Sequence, residues 1–146
     1  MVEKKSAAKK NKKSKAINTV GKRKRAVARA TFKPGRGVIK INRVPLDLIN
    51  NEVVRMKISE PLALAGDGWK RYDIMLNVQG GGHMGQADAS RQAIAKGIVK
   101  LIGGDIKKRY LEYDKYMLVA DSRRTEPHKP PRSSQGPRRA KQKSKR

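Results

Sequence analysis

Three runs of the chain alternate with the period of a β-strand. In AVARATF, Ala26, Ala28, Ala30 and Phe32 share one parity against Val27, Arg29 and Thr31, which gives one small apolar face and one polar, basic face. In VIKINRV, Val38, Lys40 and Asn42 oppose Ile39, Ile41 and Arg43. In YDIMLNVQ, Tyr72, Ile74, Leu76 and Val78 oppose Asp73, Met75, Asn77 and Gln79, the mark of a strand lying on a core. Between the first two runs, Lys33-Pro34-Gly35-Arg36-Gly37 supplies turn dihedrals, so the spacing predicts a hairpin whose second strand returns antiparallel.

The helical period appears elsewhere. Leu46, Ile49, Val53, Val54 and Ile58 keep it after Pro45, and Ser59-Glu60-Pro61 predicts the start of a second short helix, with Ser as cap and Pro tolerated in the first turn. Gly66-Asp67-Gly68 ends that helix. In QADASRQAIAKGIVKLI, Ala87, Ile94, Ile98 and Leu101 recur at helical spacing beside the small residues Ala93 and Gly97, while Arg91, Lys96 and Lys100 lie off the stripe. Gly103-Gly104 closes it, and the following DIKKRYLEYDKYMLVA leaves room for one or two further helical turns. Tyr110, Tyr113 and Tyr116, spaced by three among lysines and an arginine, either stack on bases or pack on the sheet edge with their hydroxyls outward; packing is the expectation. Trp69, a single aromatic beside Gly and Lys, reads as a core or edge residue rather than a stacking platform.

Between the last strand and the long helix stands Gly80-x-Gly82-x-x-Gly85, which has the spacing of a dinucleotide fingerprint. That function needs a second parallel strand after the helix, ending in an acidic residue that holds the ribose, and the sequence offers Gly103-Gly104 and more helix instead. A phosphate loop needs Lys and then Ser or Thr after the last glycine, where Gln86-Ala87 stand. The glycines therefore read either as a tight strand-to-helix turn or as a helix start whose exposed amides meet an RNA phosphate. No cofactor is expected.

Charge changes the picture at the ends. The chain has 146 residues, enough for one domain and little more, and a formal net charge of +25. Residues 1–25 hold 11 Lys or Arg against Glu3 alone, and residues 121–146 hold 10 against Asp121 and Glu126. Such dense like charge repels itself, so these segments are expected to order only against a polyanion. The division expected is a basic N-terminal extension over 1–16, a globular domain over 17–120 and a basic tail over 121–146. Pro127, Pro130, Pro131 and Pro137 exclude a helix across that part of the tail and favour an extended course, which at about 3.1 Å per residue reaches on the order of 80 Å.

The absence of cysteine removes disulfides and cysteine-based zinc sites, and His83 and His128 are far apart in sequence, so no metal site is expected. No apolar run approaches a membrane span, and the lysine-rich start lacks an apolar signal region; a soluble, cytoplasmic protein with no membrane partner is expected. No carboxylate pair or nucleophile–base set is visible, which argues against an enzyme. A DNA-compacting architectural protein would share the charge and size, but the groove-entering helix or ribbon of that class is not apparent.

Several motifs in order, VGKRKRAVARATFKPGRGVIKINRVPL, GGGHMGQADASRQAIAKGI, LVADSRRTEPHKPP and a closing SKR, resemble small-subunit ribosomal protein nine, the S-nine family, in its archaeal and eukaryotic form. The resemblance covers nearly everything after Ile17. It implies an α+β body, a four-stranded and mainly antiparallel sheet with helices packed on one face, like the second domain of ribosomal protein S-five. It also implies binding to small-subunit rRNA in the subunit head beside other head proteins, with the C-terminal tail reaching the peptidyl-site tRNA. Ser144, Lys145 and Arg146 match the family's terminal SKR, and Arg146 would supply the tRNA phosphate contact. Family tails place an aromatic near this end, where Lys143 and Lys145 stand here, so an electrostatic contact replaces stacking. Arg123 and Arg124 match the family's basic turn at the start of the tail. The rRNA candidates are Lys22, Arg23, Lys24 and Arg25 before the first strand, Lys33 and Arg36 in the turn, and Arg91 on the helix. In the tail they are Arg123, Arg124, Lys129, Arg132, Arg138, Arg139, Lys141 and Lys143.

Overall fold

The computed structural model describes residues 16–124 of the chain. The order of elements is β1 (Ile17–Arg23), β2 (Ala26–Pro34), β3 (Ile39–Ile41), β4 (Val44–Pro45), α1 (Glu52–Ala65), β5 (Tyr72–Gln79), α2 (His83–Ile102) and α3 (Gly104–Tyr113). The class is α+β, as expected, but the sheet is five-stranded and mixed, in the order β1-β2-β5-β3-β4. β1–β2, β2–β5 and β3–β4 pair antiparallel, whereas β3 runs parallel to β5.

Three corrections to the sequence reading account for that difference. First, β1 was not anticipated. Its buried positions are Thr19 and Gly21, so the apolar alternation that marks a strand is missing, although the backbone pairs with β2 from Ile17↔Phe32 to Arg23↔Ala26. Second, Lys33 to Gly37 does not close a hairpin. β3 does run opposite to β2, but β5 lies between them and takes up the inner edges of both. The turn is widened around Asp73 at the start of β5, whose Oδ1 accepts from the backbone N–H of Arg36 at 2.8 Å and of Val38 at 3.0 Å. Third, VIKINRV is itself the short hairpin. Asn42 (φ 47°) and Arg43 (φ 73°) form the two-residue turn between β3 and β4, both in the left-handed region that such a turn demands. The Asn42 amide then stands in for strand backbone, donating to the Val78 carbonyl at 3.0 Å and accepting from the Val78 N–H at 2.8 Å.

The helices also differ in detail. α1 is a single helix that runs through Pro61, capped by the Asn51 side chain, which accepts from the Val54 N–H. Ser59 does not start a helix; its hydroxyl donates to the Arg55 carbonyl at 2.9 Å, one turn back. α3 is longer than the one or two turns expected, at 10 residues. Tyr110 is fully buried and its hydroxyl points inward, donating to the Pro61 carbonyl at 2.6 Å; burial pushes its pKa up. Tyr113 and Tyr116 are exposed, and Trp69 packs, partly buried, against the core.

The core lies between the sheet and α2. Ala26, Ala28, Ala30 and Phe32 of β2 and Ile74, Leu76 and Val78 of β5 meet Ala93, Ile94, Ile98 and their neighbours on α2. The small residues let helix and sheet approach closely. A side chain at Gly97 would collide with the Phe32 ring, and Thr19 on β1 donates its buried hydroxyl to the Ala93 carbonyl at 2.7 Å. α1 packs on α2, and α3 touches both. The opposite face of the sheet carries exposed Asn18, Val20, Lys22, Arg29, Lys33, Lys40, Met75, Asn77 and Gln79.

Candidate nucleic-acid interface

The cations read from the sequence separate into different places. Lys24 and Arg25 form the two-residue turn between β1 and β2, both exposed, at the pole of the molecule where α2 begins. Gly80 and Gly81, both at positive φ, fold the β5–α2 connection against that turn. A Cβ at Gly80 would lie 2.6 Å from the Arg25 carbonyl oxygen, so the backbone passes where only glycine fits. The fingerprint spacing thus serves a close crossing of two turns, and α3 follows α2 directly. The first turn of α2 has no side-chain cap, and His83 is exposed there. Together with Arg23, Met84 and Asp88 these residues line a shallow groove whose rim carries Lys24 and Arg25.

The start of the tail is tied to the same pole. The Asp121 side chain is only 8% exposed and pairs with the Arg23 guanidinium, while its other bonds come from Arg123: the backbone N–H at 2.8 Å and Nη2 at 2.8 Å. Hydrogen bonds from the Arg123 side chain and backbone, with the charges of Arg123 and Arg23, hold the Asp121 carboxyl well below the usual carboxylate range. Arg124 Nη1 donates to the Lys24 carbonyl at 3.2 Å. The tail therefore leaves the body beside the basic turn, with Arg123 (74% exposed) and Arg124 at its root.

Two of the named arginines are engaged within the body. Arg23 is shared between Asp121 and Asp88, the latter at 3.6 Å, and Asp88 also accepts from Lys57 at 2.7 Å. Arg91 is 14% exposed; its Nη1 lies 2.7 Å from Asp114 Oδ2 and its Nε 2.5 Å from Glu60 Oε2. The second contact has the distance of an ion pair without the alignment of a hydrogen bond, and neither atom has another partner among the described residues. Lys22 is exposed at the end of β1. Lys33 and Arg36 are exposed at the far end of β2 from Lys24, roughly 25 Å away by strand rise. Lys129, Arg132, Arg138, Arg139, Lys141, Lys143, Ser144, Lys145 and Arg146 lie outside the described residues, as does nearly all of the N-terminal extension.

The sequence reading also passed over cations that the fold gathers. Arg29, Lys40 and Arg43 line one concavity on the open sheet face with Thr31, Met75, Asn77 and Gln79. The parity of Arg29 and Lys40 was visible, but their union depends on β5 standing between β2 and β3. On the edge of β1, Lys96 of α2 donates to the Val20 carbonyl at 3.3 Å; burial, then the charges of Lys22 and Lys100, lower its pKa. Among the described residues no group of His, Cys, Asp and Glu is arranged to hold a metal, and no helix is long and apolar enough to cross a membrane.

Comparison with known proteins decides the family. Residues 21–146 match the family model described as Ribosomal protein S9/S16. The chain belongs to this family. It is 50% identical over 131 residues to Small ribosomal subunit protein uS9 of Methanococcus maripaludis, covering 89% of this chain and 98% of the relative. A protein of the same name from Methanococcus vannielii is 47% identical over the same length, with the same coverage. The S9 match takes in the basic turn, the glycine connection, α2 and the whole basic tail.

Proposed function

We propose that this chain is a structural constituent of the small ribosomal subunit, binding rRNA in the subunit head, with its C-terminal tail reaching the peptidyl-site tRNA. The observation that carries this reading is the family match across 21–146 joined to the basic pole, where Lys24, Arg25, Arg123 and Arg124 converge on the uncapped start of α2. Lysine and arginine neutralise phosphates and release counterions, which positions a protein with little sequence readout, and RNA shape then does the selecting. The arginines suit phosphate through their planar fork of donors. The uncapped helix start adds backbone amides and a favourable dipole for an anion held between the two turns.

The body over 17–120 is the anchor in this reading, with basic extensions over 1–16 and 121–146 carrying contacts outward. In this reading the α+β body is akin to the second domain of ribosomal protein S-five, with five strands in a mixed sheet rather than four, and it sits among neighbouring head proteins in the cytoplasm. Arg23 and Arg91 act on rRNA only indirectly, by setting the tail root and the packing of α1, α2 and the Asp114 loop. Lys22, Lys33, Arg36 and the tail cations from Lys129 to Lys143 face the RNA.

The terminal residues provide the sharpest test. Removing Ser144, Lys145 and Arg146 is expected to leave subunit assembly intact and to weaken peptidyl-site tRNA binding, measured on purified subunits by filter binding. Unchanged tRNA affinity would remove the terminal contact from the account and leave the rRNA role standing.

A further inference from the structure

Among the described residues, three helices pack on one side of the sheet and no element covers the other. Its strand residues include Lys22, Arg29, Lys33 and Lys40, with Arg43 at the adjoining turn, and only one acid, Asp73. Asp73 sits at the margin opposite Lys33, and its carboxylate is already occupied by the Arg36 and Val38 amides, which lower its pKa. The centre of the face is therefore cationic without an internal counter-charge among the described residues.

The registers show how this charge is laid out. One row across the sheet runs Val20, Arg29, Asn77, and the next runs Asn18, Thr31, Met75, Lys40. Arg29 on β2 and Lys40 on β3 are separated by the width of β5, two strand spacings or roughly 10 Å. Between them lie Asn77, Thr31 and the apolar Met75, with Gln79 one row beyond Arg29; Asn77, Thr31 and Gln79 are uncharged groups that can both donate and accept. Among the described residues no aromatic side chain belongs to this face: Phe32 and Tyr72 have the opposite parity, and Phe32 is buried under α2.

Single-stranded RNA is held by stacking its bases on aromatic rings, which this face lacks. Double-stranded RNA is held through phosphates and ribose 2′-hydroxyls across a wide, shallow minor groove, which needs separated cations with neutral polar groups between them. We propose that the open face of β2, β5 and β3 docks on an RNA double helix, with Arg29, Lys40 and Arg43 on phosphates and Thr31, Asn77 and Gln79 toward ribose hydroxyls. This rests on the rRNA-binding reading and adds to it a second surface, away from the basic pole, and a class of RNA.

The lack of cysteine makes the test direct. Asn77→Cys in the full chain gives a unique tether for an iron chelate that cleaves nearby ribose, and Ser122→Cys at the tail root is the reference. In complexes with small-subunit rRNA, cleavage from position 77 on both strands of a base-paired helix is the expected result. Cleavage from 122 with none from 77 would overturn the sheet-face proposal and leave the rRNA reading intact. Cuts from 77 confined to unpaired RNA would overturn the double-helix assignment. Failure of both labelled chains and of the unlabelled chain to bind the rRNA would defeat the parent reading as well. A double change, Arg29→Ala with Lys40→Ala, should lower the salt slope of rRNA binding by about 0.7 to 0.9 per lost contact; an unchanged slope would contradict the proposal.

Discussion

Asp121 shows how much a single carboxylate organises here. It is nearly buried, it pairs with Arg23 on β1, and it orders the Arg123 backbone, so it decides where the tail leaves the body. Its folded pKa lies below the ordinary value of 3.8, held there first by the Arg123 hydrogen bonds. A group depressed in this way adds stability that is complete above its unfolded pKa and is lost as the pH falls through the folded value. Asp121→Asn should therefore flatten the acid side of the stability-against-pH curve below about pH 4, leaving the part due to Asp73, which is depressed for its own reasons. Urea unfolding at a series of pH values measures this. An acid limb identical to that of the unaltered chain would mean that the tail root is not held by this carboxylate. Neither the burial of Asp121 nor its pairing with Arg23 was legible in the sequence, where it stood only as one of two acids diluting a basic tail. The two residues are 98 positions apart, and charge counting carries no information about which ions meet.

At the scale of the element, α2 and β5 were readable because each has a face of large apolar residues at one clean period. β2 was readable too, through alanines ending in Phe32, but a strand with no apolar face was not. β1 turns Thr19 and Gly21 toward α2, and an alternation of threonine and glycine with polar residues has no apolar signature, so β1 was not among the three strand-like runs. β3 and β4 were merged into one strand because Arg43 is an unusual residue at positive φ, whereas an Asn-Gly pair would have announced the turn. The same close packing makes a strong prediction for Gly97. Replacing it with alanine gains about 1 kcal/mol of helix propensity but drives a methyl group into the Phe32 ring, and overpacking a well-filled core costs about 1–3 kcal/mol. Phe32, on β2, is 1% exposed and its ring lies against Gly97, so the steric term is expected to win. Gly97→Ala should lower the urea midpoint with little change in slope; a raised midpoint would show that the Phe32 ring gives way.

For the whole molecule, the argument turns on where the charge sits. Half of the ten acids among the described residues are used in internal pairs, Glu60, Asp67, Asp88, Asp114 and Asp121 each meeting a lysine or arginine, and the cations left facing outward are available to a polyanion. Cutting the chain after Arg124 keeps the root intact, including the Asp121 pair with Arg23, and removes Lys129, Arg132, Arg138, Arg139, Lys141, Lys143, Lys145 and Arg146. Cutting after Ala120 would also strip Arg23 of a partner and confuse loss of contact with damage to the body. If every removed cation meets a phosphate, the salt dependence of rRNA binding should flatten by at most about 6 to 7 logarithmic units per decade, at roughly 0.7 to 0.9 for each. A smaller flattening counts the tail contacts actually made. The remaining slope belongs to the N-terminal extension, the pole and the sheet face, and the Arg29 and Lys40 changes isolate the share of the sheet face. The same titration with DNA of matched length is the control for shape. Preference for folded rRNA at equal salt is expected, because a rigid body with contacts at two separated surfaces selects a three-dimensional arrangement of phosphates, whereas a flexible basic segment responds only to charge density. Equal affinities and equal slopes on both nucleic acids would reduce the chain to an indiscriminate polyanion binder and would leave its family membership without the function proposed from it.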